Sequence, residues 1–300
     1  MDANAKKTAL RMIPYGLYVL TAESKSGTAA ATVNWVTQAS FAPPLVAVGV
    51  KADSHAHAVI KESNAFALNI LGKGQQAMAF TFFKPAERQG STISGEACHA
   101  GSTGSPILDK TPAFVECRLV ASVEKGDHSV FVGEVVDAGV GKEPEGRADD
   151  ATLWLKELGD KVAAGTVNWV TQASFAPPLV AVGVKTDAHS HELIKQSGAF
   201  ALNILGKGQQ AMAYAFFKPA ERQGDKISGE PFRPGTTGAP ILENTPAFVE
   251  CRLVGTVEKG DHSVFVGEVV EAGVGKAPAG RPDDATLWLK DLGEKIFYGG

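Results

Sequence analysis

Two Gly-Asp-His steps, Gly126-Asp127-His128 and Gly260-Asp261-His262, each stand before an apolar stretch in this chain. Read from residue type alone, each histidine has two roles open to it. It can be a turn residue bonded to its own aspartate. It can also be a ring at a pocket rim that donates a hydrogen bond or changes charge near neutral pH. Trp35 and Trp169 sit beside Asn and Thr in otherwise polar stretches; each is either a core residue or a stacking wall for a planar ligand. Asp53-Ser54-His55 marks a helix start, where free N–H groups and hydroxyls can hold phosphate. The pairs His55/His57 and His189/His191 are two residues apart, so on a helix their rings diverge and no metal site is expected. The chain lacks G-x-S-x-G, H-E-x-x-H and C-x-x-C. Gly72-Lys73-Gly74 lacks the trailing residues of a P-loop and reads as a turn opening a helix.

Strand patterns dominate the elements that must position these residues. Tyr15–Thr21, Thr32–Phe41, Leu45–Val50, Ala65–Leu71, Phe114–Glu124 and Ser129–Val136 are rich in β-branched, aromatic or apolar residues and are bounded by Gly, Pro or charged turns. Ser54–Glu62, Gln75–Lys84 and Ala151–Lys161 read as helices, and Glu87–Pro106 as a long loop. The fold class expected is mainly β, a barrel with peripheral helices.

The whole pattern occurs twice. Thr32 to Pro44 recurs as Thr166 to Pro178, and the same 134-residue offset carries Lys84 onto Lys218 and His128 onto His262. A period this long is a domain duplication, because solenoid repeats run at about 20–50 residues. The expected domains are residues 1–161 and 162–300. The ends are unequal: residues 1–27 have no second copy, and the tail with Phe297 and Tyr298 has no first copy.

The 300 residues are 44% hydrophobic and 21% charged, with a formal net charge of -4. This balance, without a basic block, gives no electrostatic case for nucleic acid or an anionic membrane. No apolar run approaches the roughly 20 residues of a membrane span. The N-terminus lacks the apolar core of a signal peptide. Cys98, Cys117 and Cys251 are too few for a disulfide framework; Cys117 and Cys251 read as buried structural thiols, and a reducing cytoplasm is expected.

Three segments together carry a resemblance: Ala-Thr-Val-Asn-Trp-Val-Thr-Gln-Ala-Ser-Phe-Ala-Pro-Pro-Leu-Val from Ala31, Asp-Ser-His-Ala-His from Asp53, and Gly-Asp-His-Ser-Val-Phe-Val-Gly-Glu-Val from Gly126. The chain resembles the flavin reductase-like FMN-binding split barrels, which include NAD(P)H:flavin reductases and flavoredoxins. The resemblance implies two tandem split-barrel repeats and FMN as cofactor, with NAD(P)H as co-substrate. It implies that Thr32, Asn34, Trp35, Thr37, Gln38 and Ser40 hold the flavin. Ser54, His55 and His57 would face the phosphate, Lys84 would add positive charge, and His128 would lie where nicotinamide approaches. In the second copy the same roles fall to Thr166, Asn168, Trp169, Thr171, Gln172, Ser174, His189, Ser190, His191, Lys218 and His262, with Phe297 or Tyr298 covering the ring.

The expected activity is hydride transfer from NAD(P)H to flavin. The alternatives are a flavoredoxin-like electron carrier reduced by a protein partner, and a degenerate barrel without flavin. Because family members are usually homodimers, the two copies are expected to pair as an intramolecular pseudo-dimer. The strand Tyr15–Thr21 is expected to pair with the strand holding Asn34. Its absence from repeat 2 would then bare the edge beside Asn168, invite association between chains, and make the two flavin pockets unequal.

Overall fold

A computed structural model describes residues 2–141, 147–152, 168–217, 220, 222–275, 278 and 280–292. In the first repeat, helix α1 (Ala3–Leu10) precedes strands β1 (Tyr18–Ser24), β2 (Gly27–Val33), β3 (Val36–Phe41) and β4 (Pro44–Lys51). Helix α2 (His55–Ser63), β5 (Ala65–Ile70) and helix α3 (Gln76–Thr81) follow. Four short strands, β6 (Arg88–Gln89), β7 (Thr92–Ile93), β8 (Glu96–Ala100) and β9 (Pro106–Leu108), lead to the long pair β10 (Ala113–Glu124) and β11 (His128–Val140), then α4 (Ala148–Ala151). The second repeat has β12 (Val170–Phe175), β13 (Pro178–Lys185), α5 (His189–Ser197), β14 (Ala199–Ile204) and α6 (Gln210–Ala215). It continues through β15 (Arg222–Gln223), β16 (Lys226–Ile227), β17 (Glu230–Pro234), β18 (Pro240–Leu242), β19 (Ala247–Glu258) and β20 (His262–Val274). Among the described residues no helix is long and apolar enough to cross a membrane.

The first sheet has seven strands in the order β2-β1-β5-β10-β11-β4-β3. Strands β2 and β3 lie at its opposite ends, yet only Asn34 and Trp35 separate them in sequence. Three Cα steps reach at most about 11 Å, so the sheet must curl until its two edges nearly meet. The seam where they meet is Asn34–Trp35. This corrects the single strand expected over Thr32–Phe41. The chain leaves one edge at Val33, turns the Trp35 ring inward over Gly49, and joins the other edge at Val36. A Cβ on Gly49 would stand 3.1 Å from the Trp35 ring, so glycine provides the room.

The second sheet has five strands, β12-β13-β20-β19-β14, with counterparts of β3, β4, β11, β10 and β5. Strand β1 pairs with β2 and with β5. The edge that loses its neighbour in repeat 2 is therefore that of β14, not the one beside Asn168. Two further expectations change, and a third lies almost wholly outside the described residues. The loop over Glu87–Pro106 contains the small sheet β6–β9. The helix over Gln75–Lys84 is the shorter α3, and of Ala151–Lys161 only Ala151, the last residue of α4, and Thr152 are described.

Both faces of β4 and β13 are buried, which explains their near-continuous apolar sequence. Val48 and Val50 point into the first repeat's own core with Phe66, Leu68, Cys117 and Phe131. Leu45 and Ala47 face the other way, into a cluster shared with Ala173, Leu179, Ala181, Val264 and Val266 of the second repeat. Two reciprocal clasps flank this shared core. Ser174 Oγ and the Phe175 N–H donate to Asp127 at 2.6 and 3.0 Å. Ser40 Oγ and the Phe41 N–H donate to Asp261 at 2.6 and 2.9 Å. Each repeat thus holds the other through the same Asp, Ser and Phe positions with the roles exchanged.

Helix α1 breaks this symmetry. Ala9, Leu10, Met12, Ile13 and Tyr15 are buried in the core of repeat 2 together with Val249, Val269 and Ala272. An N-terminal segment without a second copy therefore covers the end of β20. The matching end of β11 is bare, with Val136 42% and Val140 63% exposed.

Candidate functional site at the sheet seam

A cleft of about 770 Å³ opens at the seam, a size suited to a nucleotide-like ligand. Ala31 to Trp35 form one side; Gly49 to Lys51, Ser54, Ala56 and His128 form the floor. Gln172, Phe175 and Pro178 come from repeat 2, and Lys6, Lys7, Leu10 and Arg11 come from α1.

The aromatic wall is Trp35, His128 and Phe175. The Trp35 ring lies 4.7 Å from the His128 ring and 4.6 Å from that of Phe175. Asp127 fixes His128 by accepting at 2.9 Å on its Nδ1 side. Partial burial pushes the Asp127 carboxyl up, but hydrogen bonds from Ser174, His128 and the Phe175 amide outweigh it and hold the group well below the usual carboxylate range. An ionised carboxylate only accepts, so Nδ1 carries a proton, and the ring so held lines the cleft. The same carboxylate thus orients the histidine and ties down the second repeat.

Ser54 caps α2, accepting from the His57 N–H at 3.2 Å. Thr32 donates its hydroxyl to Ala79 O at 2.7 Å, pinning the seam to α3. Lys51 is paired with Asp53. Tyr15 is buried at the base of α1 and donates to Leu10 O at 3.2 Å, with Gln172 Oε1 at 3.4 Å; burial pushes its phenol far up.

Of the residues singled out in repeat 1, the structure brings Thr32, Asn34, Trp35, Ser54 and His128 to this cleft. It places others elsewhere. Ser40 belongs to the inter-repeat clasp. The Thr37 hydroxyl donates to Gln38 O, and Gln38 is exposed and turns onto Ser40 O. His55 is exposed, and His57 is buried against Ser129 at 2.9 Å with its pKa lowered by burial. Lys84 lines a separate surface groove with Phe80 and Pro85. Gln172, assigned by its sequence position to the second copy, lines the first cleft instead.

In repeat 2, Trp169 and His262 are 4.5 Å apart, with the Phe41 ring 4.6 Å from Trp169. His262 is closed off, its side chain 1% exposed against 16% for His128. Asn168 lies beside Trp169 ahead of β12. Thr171 and Ser174 are buried, His189 and Ser190 are exposed, and His191 is bonded to Ser263 at 2.8 Å. Thr166, Lys218, Phe297 and Tyr298 lie outside the described residues.

Sequence reasoning missed Lys6, Lys7, Arg11, Phe175 and Pro178. The signal for α1 was present in Asp2 as an N-cap followed by alanine and lysine. Its docking on repeat 2 had no local signature.

The Flavin reductase like domain family matches the chain twice, over residues 10–158 and 154–291. Diflavin flavoprotein A 1 of Synechocystis is 32% identical over 47% of this chain and 25% of that protein. A ferric-chelate reductase (NAD(P)H) of Archaeoglobus fulgidus is 33% identical over 46% of this chain and 82% of that protein. A solved structure, the NADH:FAD oxidoreductase SgcE6 of Streptomyces globisporus, is 30% identical, covering 43% of this chain and 72% of that one, with a TM-score of 0.39. For several curated relatives, including a probable flavin reductase of Rhizobium meliloti matched over 32% of its length, the chain spans a third or less of the relative.

Proposed function

Because the chain belongs to the flavin reductase-like domain family, we propose that the seam cleft binds FMN and that the protein passes hydride from NAD(P)H to it. The observation that carries this reading is the Trp35–His128–Phe175 wall beside a cleft whose lining, among the described residues, includes cations and no carboxylate. The residues fit the group: an apolar wall for the rings, the Asn34–Trp35 link between strands β2 and β3 for the polar edge, and the capped start of α2 for the phosphate. Relatives named as reductases support the activity.

The flavin supplies the two-electron chemistry; the protein supplies position, dryness and charge. Trp35 fixes the ring plane. His128, held by Asp127, lines the cleft, where its ring can accept a hydrogen bond or donate one when protonated. Phe175 and Gln172 close the cleft from repeat 2, so the two repeats stand in for the two subunits of a homodimer. Three buried free thiols suit a reducing compartment, the cytoplasm in this reading.

The test is to mix the protein with FMN and either NADH or NADPH and follow nicotinamide absorbance. Oxidation well above the free-flavin background is expected with at least one donor. None with either donor removes the reductase. Tight FMN without turnover would point instead to an electron carrier, the reading that relatives named as diflavin flavoproteins favour.

A further inference from the structure

The cleft holds a group of cations to which the flavin reading gives no individual role. Lys6, Lys7 and Arg11 line it from α1, and none of them is paired with a carboxylate among the described residues. Lys7 and Arg11 are four apart, so they share a helical face at the C-terminal end of α1. Such a face is ordinarily solvated and complements the helix dipole. Arg11 departs from that pattern, because its Nε is buried and has no hydrogen-bond partner. An unsatisfied guanidinium nitrogen is a costly arrangement, and the Arg11 side chain as a whole lines the cleft, where a guanidinium is suited to a forked contact with an anion.

We propose that Arg11, supported by Lys6 and Lys7, is a phosphate-binding locus that makes the seam cleft selective for flavin carrying a phosphate or pyrophosphate ester over unphosphorylated riboflavin. This rests on the seam cleft being the flavin site. It adds an anion contact beyond the start of α2, made by residues outside the three segments that carry the family resemblance. The locus is carried by a helix anchored in the core of repeat 2, whereas Trp35 and His128 belong to repeat 1. The ligand therefore bridges the repeats. Residues 1–27 have no second copy, so the aromatic cluster of Trp169, His262 and Phe41 has no such locus from the sequence of repeat 2.

The experiment compares wild type, Arg11→Ala and Arg11→Lys by fluorescence titration with FMN and with riboflavin, and by thermal shift with inorganic pyrophosphate. Arg11→Ala should weaken FMN by about tenfold or more while riboflavin stays within about twofold. Arg11→Lys should fall between, because an ammonium cannot reproduce the planar fork. Pyrophosphate should stabilise wild type and not Arg11→Ala. Equal losses for FMN and riboflavin, or unchanged FMN binding, overturn the proposal. If wild type binds no flavin but is stabilised by pyrophosphate through Arg11, the flavin reading fails and the anion locus stands; no pyrophosphate effect and no flavin binding removes both. If Arg11→Ala does not fold, Lys6→Ala/Lys7→Ala tests the same selectivity from the more exposed side: a loss for FMN alone supports the locus, and no loss overturns it.

Discussion

Trp35 and Trp169 occupy the same place in their repeats, yet only Trp35 lines the cleft completed by α1. Base-on-aromatic stacking is worth about 1–3 kcal/mol. Trp35→Ala should therefore weaken FMN by about tenfold or more, and Trp169→Ala by much less, in fluorescence titrations on folded protein. Equal losses would show that the two pockets contribute alike. A second residue-level outcome concerns acid. Hydrogen bonds outweigh burial at Asp127 and at Asp261 and depress both carboxyls. A group whose folded pKa lies below its unfolded value of about 3.9 contributes fully above that value. Its contribution is lost as pH falls through the unfolded pKa toward the folded one. Urea midpoints measured between pH 6 and pH 2, on the order of the carboxylate range, should fall more steeply for wild type than for the Asp127→Asn/Asp261→Asn double variant. Parallel curves would mean the clasps do not contribute.

At the scale of elements, the duplication provides its own controls. Helix α2 is capped by Ser54, whereas the matching position before α5 is Ala188, which makes no side-chain cap. Ala188→Ser should stabilise repeat 2 by about 1 kcal/mol, the usual worth of an N-cap hydroxyl, read from the denaturant midpoint. Strand ends β11 and β20 differ in cover. Ala272 is 4% exposed beneath α1, while its counterpart Ala138 is exposed. Ala138→Lys should change stability by less than about 0.5 kcal/mol, and Ala272→Lys should cost several times that, because it displaces α1 or buries a charge. Matched effects would mean that α1 does not cover β20 in solution.

At the scale of the whole molecule, each repeat lacks a different part. Repeat 2 has no α1, β1 or β2 counterpart among the described residues, and its sheet ends at β14. Repeat 1 has lost the cover at the end of β11. The surroundings of Trp35 and Trp169 therefore differ, and calorimetric titration with FMN should show one tight site per chain, or two of clearly different affinity. Two identical, independent sites would contradict this asymmetry. Among the described residues the edge of β14 has no further strand beside it and Val136 and Val140 of β11 are exposed, the kinds of surface on which another chain can dock.

The sequence by itself determined the duplication, the mainly β class, the positions of β1, β4, α2, β5, β10 and β11 to within a few residues, and the family through Asn34-Trp35, Asp53-Ser54-His55 and Gly126-Asp127-His128. These features are local: alternation, turn residues and capping act over a few positions, so a linear reading reaches them. Tertiary structure alone decided which of these residues meet. Asn34 and Trp35 read as mid-strand because their neighbours alternate, but the sheet order places them at a seam between opposite edges. Ser40 and His57 carry the polarity of ligands, yet one is spent on the other repeat's Asp261 and one on Ser129. Gln172 crosses into the first cleft, and so does the cationic face of α1. Those placements depend on how two curled sheets share an apolar face and on where an unmatched helix finds cover, and contacts of such long sequence separation leave no periodicity to read.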